Sequence, residues 1–215
     1  MSLALGITLV VLSIILHEIA HGFIADKLGD PTARLAGRLT LNPFVHIDPI
    51  GSVALPGLLA LTHSPFLLGW AKPVPYNPYN LNARKWGLPL QFGEALVGIA
   101  GPLTNVLLAI IFGSLLRYSG DLGLSATLVD ALVLATMANL VLAIFNLIPL
   151  PPLDGSKVLS SILPTGMRLM YQRFEQRMYS FGPFGLLMVG LIAIYLLWPI
   201  LSKLVLFLFT LIVAG

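Results

Sequence analysis

Most of this sequence is divided into apolar segments that are long enough to cross a lipid bilayer as helices. They lie at about 3–25, 91–117, 126–148 and 181–199, and about 20 residues of α-helix cross the hydrocarbon core. Hydrophobic residues fill 57% of the 215 positions and charged residues only 10%, whereas a soluble domain carries about 25% charged residues. The pattern predicts an all-α polytopic membrane protein and excludes a soluble globular enzyme.

A further apolar stretch, at 200–214, follows the fourth segment directly. Proline lacks an amide N–H and clashes with the preceding helical turn, so we expect the helix to kink or end at Pro199. The stretch beyond Pro199 is short for a straight span, and a re-entrant, an interfacial and a short crossing segment all stay open. We treat 1–215 as one membrane domain, with a core at about 1–160 and a C-terminal membrane segment at about 178–214.

Basic side chains are concentrated in three of the connections between the apolar segments. They are Lys27, Arg34 and Arg38, then Lys72, Arg84 and Lys85, then Lys157, Arg168, Arg173 and Arg177. The positive-inside rule places all three connections in the cytoplasm and the N-terminus outside. This topology requires that the apolar segment 50–69 enters the membrane and returns without crossing it. The net charge of +3 therefore reflects membrane topology, and we expect no nucleic-acid partner.

The region 31–49 differs from the apolar segments in its pattern. Polar and apolar residues alternate over 38–42, as they do along a half-buried strand, and Gly37, Pro43 and Pro49 mark turns. We therefore expect a small membrane-associated β element, a short sheet or hairpin, after the first helix.

Two histidines and a glutamate interrupt the first apolar segment, at His17, Glu18 and His21. Such side chains cost roughly 2.5–3.5 kcal/mol each at membrane depth, so three of them in five residues need a compensating interaction. Histidines at positions i and i+4 lie on one face of a helix. This spacing binds zinc through two imidazoles and leaves the intervening glutamate free to act as a general base. The sequence therefore predicts a zinc site inside the first helix.

A catalytic zinc ion usually has three protein ligands, and the sequence offers few candidates for the third. The run 146–155 at the end of the third span contains three prolines and ends in Asp154-Gly155. Backbone that unwinds at membrane depth must line a cavity or be buried in protein, so this run is a plausible wall of the site. In the predicted topology Asp154 lies on the same side as His17 and His21. His46 and Asp48 could approach the metal from the region 31–49. For His63 a cap or interface role is the default, and for Glu94, near the start of the second span, helix-dipole stabilisation and solvent suffice.

Several motifs make the sequence resemble the site-2 protease family of intramembrane zinc metalloproteases. They are residues 17–22, 100–105 and 146–155, while 37–43 and 69–75 resemble the short bacterial and archaeal branch without PDZ or CBS domains. The likeness covers most of 1–160. It implies one zinc ion per chain, bound by His17, His21 and Asp154, with Glu18 as the catalytic acid and base. It also implies a three-helix core built from the first three long spans.

The resemblance implies an endopeptidase that hydrolyses peptide bonds in or near the transmembrane segments of membrane-protein substrates. The protein would reside in the plasma membrane of a prokaryote, with its active site toward the cytoplasm. Side-chain amides at Asn105, Asn139 and Asn146 could donate to the oxyanion or hold the substrate backbone. An exposed strand edge near 34–42 could accept an extended substrate. Gly98 and Gly101 are interpreted as sites of close helix packing.

Two other functions are compatible with a metal site in a membrane helix. A divalent-metal transporter would place ligands on several helices along a path across the membrane, whereas the polar residues here are expected at one depth. A catalytically silent membrane scaffold would not need Glu18 beside a complete ligand set. The sequence leaves the substrate and the oligomeric state open.

Overall fold

The computed structural model describes residues 2–62 and 69–214, and in these ranges it contains helices and no β-strand. The α-helices are α1 (Ser2–Leu28), α2 (Thr32–Leu35), α3 (Leu55–Leu61), α4 (Gly93–Arg117), α5 (Ala126–Asn146), α6 (Gly155–Ile162), α7 (Thr165–Ser180) and α8 (Gly182–Ala214). Candidate membrane spans are Ser2–Leu28, Leu90–Arg117, Ala126–Asn146 and Tyr195–Ala214. The prediction of an all-α, multi-pass membrane protein is confirmed.

Helices α1, α4 and α5 pack against one another and form the expected three-helix core. Small residues allow the close approach: a Cβ atom at Gly6 of α1 would lie 2.7 Å from Leu134 Cδ2 of α5. Helix α8 covers this core from one side, where Val205 packs with Ala109 of α4 and Leu140 of α5. Every long helix is thereby in contact with at least one other, and His17, Asn105 and Asn139 lie where α1, α4 and α5 meet.

Of the two outcomes expected at Pro199, a kink or the end of the helix, the structure excludes the end, because α8 continues through Pro199 to Ala214. A proline removes one backbone hydrogen bond. Ending the helix in an apolar environment would instead expose several backbone groups that have no water to bind. Continuing the helix is therefore the less costly arrangement. The one helix takes in nearly all of the predicted stretches 181–199 and 200–214, and it contains the candidate span Tyr195–Ala214.

The β element predicted for 31–49 is also wrong. The segment contains α2 and a 3-10 helix at Pro43–His46, and side chains hold its backbone in turns. Asp30 Oδ1 accepts from Thr32 Oγ1 at 2.6 Å, and Asn42 Oδ1 accepts from the Phe44 amide at 3.1 Å. Such local bonds compete with a strand ladder. The strand edge expected near 34–42 for substrate addition is therefore not present.

The apolar segment that starts near residue 50 returns close to its starting point. A π-helical turn at Pro49–Ala54 leads into α3, and after the segment the Trp70 amide donates to the Gly51 carbonyl at 3.2 Å. Ser52 Oγ also donates to the Trp70 carbonyl, at 2.8 Å. Both ends of the segment are thus held together, which agrees with the expectation that it does not cross. His63 lies outside the described residues.

Asp30 connects the end of α1 to the segment that precedes α4. Its carboxylate is fully buried and accepts from Thr32 Oγ1, from the Asn77 amide at 2.7 Å and from Asn80 Nδ2 at 2.9 Å. Burial opposes ionisation of Asp30, but these hydrogen bonds hold its pKa below the ordinary value. Asp30 is thus expected to be ionised and to stabilise the fold at neutral pH.

We expect Asp30→Asn to lower the free energy of unfolding by about 1–3 kcal/mol, because an amide NH₂ group would face donors. Asp30 stabilises the fold fully when the pH is above the ordinary pKa of a carboxyl group. This stabilisation is lost as the pH falls from that value through the lower pKa that Asp30 has in the folded state. Thermal unfolding in detergent should therefore lose less stability between pH 5 and pH 3 in the variant than in the wild type. Asp121→Asn, at an exposed loop position, is the control, and equal acid sensitivity of wild type and Asp30→Asn would contradict the prediction.

Candidate metal centre

Three side chains from α1 and from the start of α6 converge at one point. His17 Nε2 and His21 Nε2 lie 3.0 Å apart, and Asp154 Oδ2 lies 3.3 Å from the first and 3.4 Å from the second. Both histidines are buried, at 7% and 8% exposure. No other group of His, Asp or Glu with metal-binding geometry occurs among the residues that the structure describes.

The hydrogen bonds behind the two imidazoles determine which ring nitrogens carry protons. His21 Nδ1 lies 2.7 Å from the Val97 carbonyl, which can only accept, so His21 Nδ1 is the donor. His17 Nδ1 lies 2.6 Å from Asn105 Oδ1. That amide orientation is fixed because Asn105 Nδ2 donates to Asn139 Oδ1, whose own Nδ2 donates to the Ala135 carbonyl. In the neutral rings both Nε2 atoms therefore present lone pairs to the centre.

The centre is suited to a zinc ion. Two imidazole lone pairs and one carboxylate oxygen face one another, and Asp154 Oδ2 is buried without a hydrogen-bond partner among the described residues. Three acceptors in such close contact repel unless a cation lies between them. Ligands at zinc bonding distances on a tetrahedron are about 3.3 Å apart, which matches the distances between these atoms. The two Nδ1 hydrogen bonds supply the outer contacts that usually orient metal-binding histidines.

The proline-rich run brings Asp154 to the histidines. After α5 ends at Asn146 the chain folds back tightly, and a Cβ atom at Gly155 would lie 2.6 Å from the Ile148 carbonyl oxygen. Gly155 is thus needed because the backbone of the preceding loop packs directly on it. Helix α6, which starts there, is held against α4 at Gly98, where a Cβ atom would lie 3.0 Å from the Asp154 carbonyl oxygen.

Gly101 forms one wall of the centre, a role that the sequence interpretation missed. A Cβ atom at this position would lie 2.6 Å from His17 Nε2 and closer still to His21 Nε2. Real Cβ atoms do not come this close to other atoms, so only glycine leaves the ligand atoms free. The signal in the sequence was the glycine in 100–105, which we interpreted as a helix-packing position because spacing alone does not show what a residue faces.

Glu18 lies beside the ligand atoms and accepts through Oε2 from the Val74 amide at 2.9 Å. Val74 belongs to an irregular segment at 69–76 that packs onto α1 at Gly22, where a Cβ atom would lie 2.7 Å from Val74 Cγ1. The segment is held from behind as well. Arg38 Nη2 donates to the Lys72 carbonyl at 2.6 Å, and the Lys72 amide donates to the His46 carbonyl at 2.8 Å. One carboxylate oxygen of Glu18 is thus fixed.

A cavity of about 1070 Å³ opens onto the centre, and its lining is mostly apolar. His17, Glu18, His21 and Asp154 lie on its wall, together with residues of 69–76, α4, α5, the 152–157 turn and α8. Tyr76 is one of its polar lining residues, and burial, with a smaller effect of the Glu94 carboxylate, raises the pKa of Tyr76 to about 12. The cavity is large enough to hold a peptide segment of several residues next to Glu18.

The three asparagines occupy two different environments. Asn146 lines the cavity, where its Nδ2 donates to the Leu142 carbonyl at 3.0 Å. Asn105 and Asn139 have no exposed surface, and they form a hydrogen-bonded chain from His17 to Ser13 Oγ. Their placement favours positioning of His17 over the expected contact with an oxyanion or substrate.

The other titratable residues that the sequence analysis considered have their own surroundings. His46 Nε2 is 2.9 Å from the Thr40 carbonyl, and Asp48 Oδ1 accepts from the Ile50 and Gly51 amides at the start of the π-helical turn. Glu94 lines a separate small polar cavity of about 140 Å³. None of the three joins His17, His21 and Asp154.

We expect Asn105→Leu to weaken zinc binding by about 10–100-fold, the usual effect of removing an outer hydrogen bond from a metal-binding histidine. Zinc titration against a competing chelator measures this, and KM for a peptide at saturating zinc should stay unchanged. Thr104→Val is the matched control, since it removes only the bond to the Ala100 carbonyl on the same helix. A raised KM with unchanged zinc affinity would instead indicate that Asn105 contacts the substrate.

Comparisons with known proteins agree with this geometry. The family model described as "Peptidase family M50" matches residues 118–189 of the chain. It is 39% identical over 204 residues to "Putative zinc metalloprotease YwhC" of Bacillus subtilis, covering 92% of this chain and 85% of that protein. It is 30% identical over 144 residues to "Putative zinc metalloprotease Rip2" of Mycolicibacterium smegmatis, covering 67% of this chain and 51% of that protein.

The archaeal "Zinc metalloprotease MJ0392" of Methanocaldococcus jannaschii is 27% identical over 155 residues, which cover 72% of this chain and 33% of that protein. No solved structure matches the chain. The similarity to the Bacillus protein extends over most of both chains. The chain therefore belongs to peptidase family M50, the site-2 protease family, and is a zinc metalloprotease.

Proposed function

We propose that this metalloprotease is an intramembrane endopeptidase that hydrolyses peptide bonds in or near transmembrane segments of membrane proteins. The observation that carries the proposal is the position of the centre. His17, Glu18, His21 and Asp154 lie on the wall of one mostly apolar cavity, which residues of all four long helices line. A transmembrane segment is the type of substrate whose apolar side chains such a cavity accommodates.

The proposed zinc ligands are His17, His21 and Asp154. Zinc bound there would act as a Lewis acid toward the scissile carbonyl and a water molecule. Glu18 is the proposed general base and acid: it takes a proton from the attacking water and gives it to the leaving amine. The Val74 amide holds one oxygen of Glu18, which leaves the other oxygen to exchange the proton.

A substrate helix must unwind before hydrolysis, because its backbone amides are engaged in internal hydrogen bonds. The irregular segment 69–76 and Asn146 line the same cavity as Glu18. We propose that Asn146, which retains an acceptor oxygen, binds the backbone of the unwound segment. Asn105 and Asn139 would act through His17, without touching the substrate.

The proposed topology follows the charges. With the N-terminus outside, the basic connections after α1, before α4 and between α5 and α8 all lie in the cytoplasm of a prokaryotic cell. The centre then faces the cytoplasmic side of the plasma membrane, where water reaches Glu18 while the substrate remains in lipid. We propose that residues 1–215 act as one membrane domain.

Cleavage of defined substrates in lipid vesicles tests the proposal. The full chain is reconstituted with a panel of single-span reporter proteins, and mass spectrometry maps each cut. We expect cuts inside or within a few residues of the apolar segment, and loss of cleavage when zinc is chelated and recovery when zinc is restored. Cuts confined to extramembrane regions, or equal hydrolysis of soluble unfolded proteins, would contradict the intramembrane proposal without contradicting the family assignment.

A further inference from the structure

A lysine lies on the lipid-facing side of the last membrane span. Lys203 is exposed, and it lies within the candidate span Tyr195–Ala214 of α8, about 16 Å before Ala214 at 1.5 Å per residue. It has neither a hydrogen bond nor an ion pair with the residues that the structure describes. A charged side chain at this depth is costly and usually serves an interaction.

The residues around Lys203 form a regular seam along the outside of α8. The members are spaced by four and three residues in turn, and all of them are exposed: Leu196, Ile200, Lys203, Phe207, Thr210 and Ala214. This is the spacing at which one helix packs lengthwise against another. The opposite face of α8 is already occupied, because Val205, Leu208 and Ile212 pack on α4 and α5.

Lipid alone does not account for the charge in this seam. The flexible stem of a lysine can carry its ammonium group toward an interface, but α8 extends about 16 Å beyond Lys203 to Ala214 and further still in the direction of Gly182. The neighbouring positions on the seam, Ile200 and Phe207, are apolar and 67% and 64% exposed. Lys203 is therefore an isolated cation in an otherwise hydrophobic helix-packing surface.

We propose that this seam binds the transmembrane helix of another membrane protein, one that carries an Asp or Glu at the depth of Lys203. The apolar members supply the packing surface, and the carboxylate neutralises the ammonium group where water is scarce. A second copy of the chain does not fit. Two copies inserted in the same direction and related by a twofold axis would place their Lys203 side chains at equal depth, so that like charges would meet.

Binding of a synthetic transmembrane peptide tests the proposal. The probe is a Leu/Ala helix of about 22 residues with one central Glu, compared with peptides that carry Gln there or the Glu near one end. The chain has no cysteine, so a dye on Gly120→Cys, in the exposed loop after α4, reports energy transfer in phosphatidylcholine vesicles. We expect the central Glu peptide to bind about tenfold more tightly than the Gln peptide.

The variants identify the group that recognises the carboxylate. Lys203→Arg should keep the preference for Glu, and Lys203→Leu should abolish it. Cleavage of a reporter without a membrane carboxylate shows that each variant is folded. Equal binding of the Glu and Gln peptides by the wild type, equal binding of the central and terminal Glu peptides, or a preference that survives in Lys203→Leu, would overturn the proposal.

Disulfide cross-linking tests whether a second copy of the chain occupies the seam, because the chain has no cysteine of its own. Phe207→Cys places a single thiol on the seam, and Leu206→Cys places one beside it as the matched control. We expect no more disulfide-linked dimer in membranes from Phe207→Cys than from Leu206→Cys. Preferential cross-linking through Phe207→Cys would show that a second copy occupies the seam, which would overturn the proposed partner.

Discussion

Replacing Glu18 with Gln is expected to lower the rate of peptide hydrolysis by about 10²–10⁴-fold, the contribution typical of general acid–base catalysis. The variant should keep its zinc. Glutamine has nearly the same shape, and its carbonyl oxygen can still accept from the Val74 amide, as Glu18 Oε2 does at 2.9 Å. What it lacks is a group that takes up a proton at neutral pH, so only the chemical step should suffer.

The measurement combines the rate of reporter cleavage with the zinc content of the purified protein. Glu94→Gln is the matched control, because Glu94 is not among the groups at the centre and lines a separate cavity. Full activity in Glu18→Gln would remove Glu18 from the mechanism. Loss of zinc together with activity would show that Glu18 holds the centre together instead of moving protons. Zinc flux that persists in Glu18→Gln, with no proteolysis by the wild type, would favour the transport alternative.

Local spacing and hydropathy were sufficient to predict the main features of the centre. The i, i+4 spacing of His17 and His21 fixes their common face whatever the rest of the fold does. The prolines before Asp154 required an unwound segment at the end of α5, and the structure has one there. These inferences depend on local backbone geometry and on the cost of unpaired groups in lipid, so they needed no knowledge of how the helices pack.

The wrong prediction of a β element, and the asparagine roles that the sequence did not separate, concern properties that depend on neighbouring residues. Asn139 and Asn146 lie seven residues apart on α5, and the sequence analysis gave them the same candidate role. However, Asn139 is buried against α1 and α4, whereas Asn146 lies two turns further along and opens onto the cavity. The alternation at 38–42 was too short to outweigh the local turn bonds of Asp30 and Asn42. Position along the helix, rather than residue type, decides which amide lines the cavity.

The same limit explains why Gly101 was interpreted only as a helix-packing residue. A glycine in a membrane helix usually indicates close helix contact, and Gly113 of α4 fits this description, since a Cβ atom there would collide with Ile212 of α8. Gly101 lies on the same helix but faces the two imidazoles. Only the three-dimensional position of α1 distinguishes the two glycines.

Gly101→Ala is therefore expected to abolish zinc binding and, with it, proteolysis. The added methyl carbon would lie 2.6 Å from His17 Nε2 and closer to His21 Nε2, on the side of the ligand atoms that α4 covers. Both rings are fixed by their Nδ1 hydrogen bonds to Asn105 and Val97, so they cannot move aside without breaking them. We expect zinc affinity to fall by at least about 100-fold, beyond the loss of one outer contact.

Two controls separate this steric effect from general damage to α4. Gly113→Ala crowds the contact between α4 and α8 far from the centre, so it should lower thermal stability by about 1–3 kcal/mol and leave zinc affinity unchanged. Gly166→Ala adds a methyl group where no atom lies within 4 Å, and it should change neither property. If Gly101→Ala bound zinc as the wild type does, the helix α4 could not lie against the imidazoles as the structure has it. The assignment of His17 and His21 as ligands would then lose its main geometric support, because the closeness of α4 is what keeps both Nε2 atoms directed at Asp154.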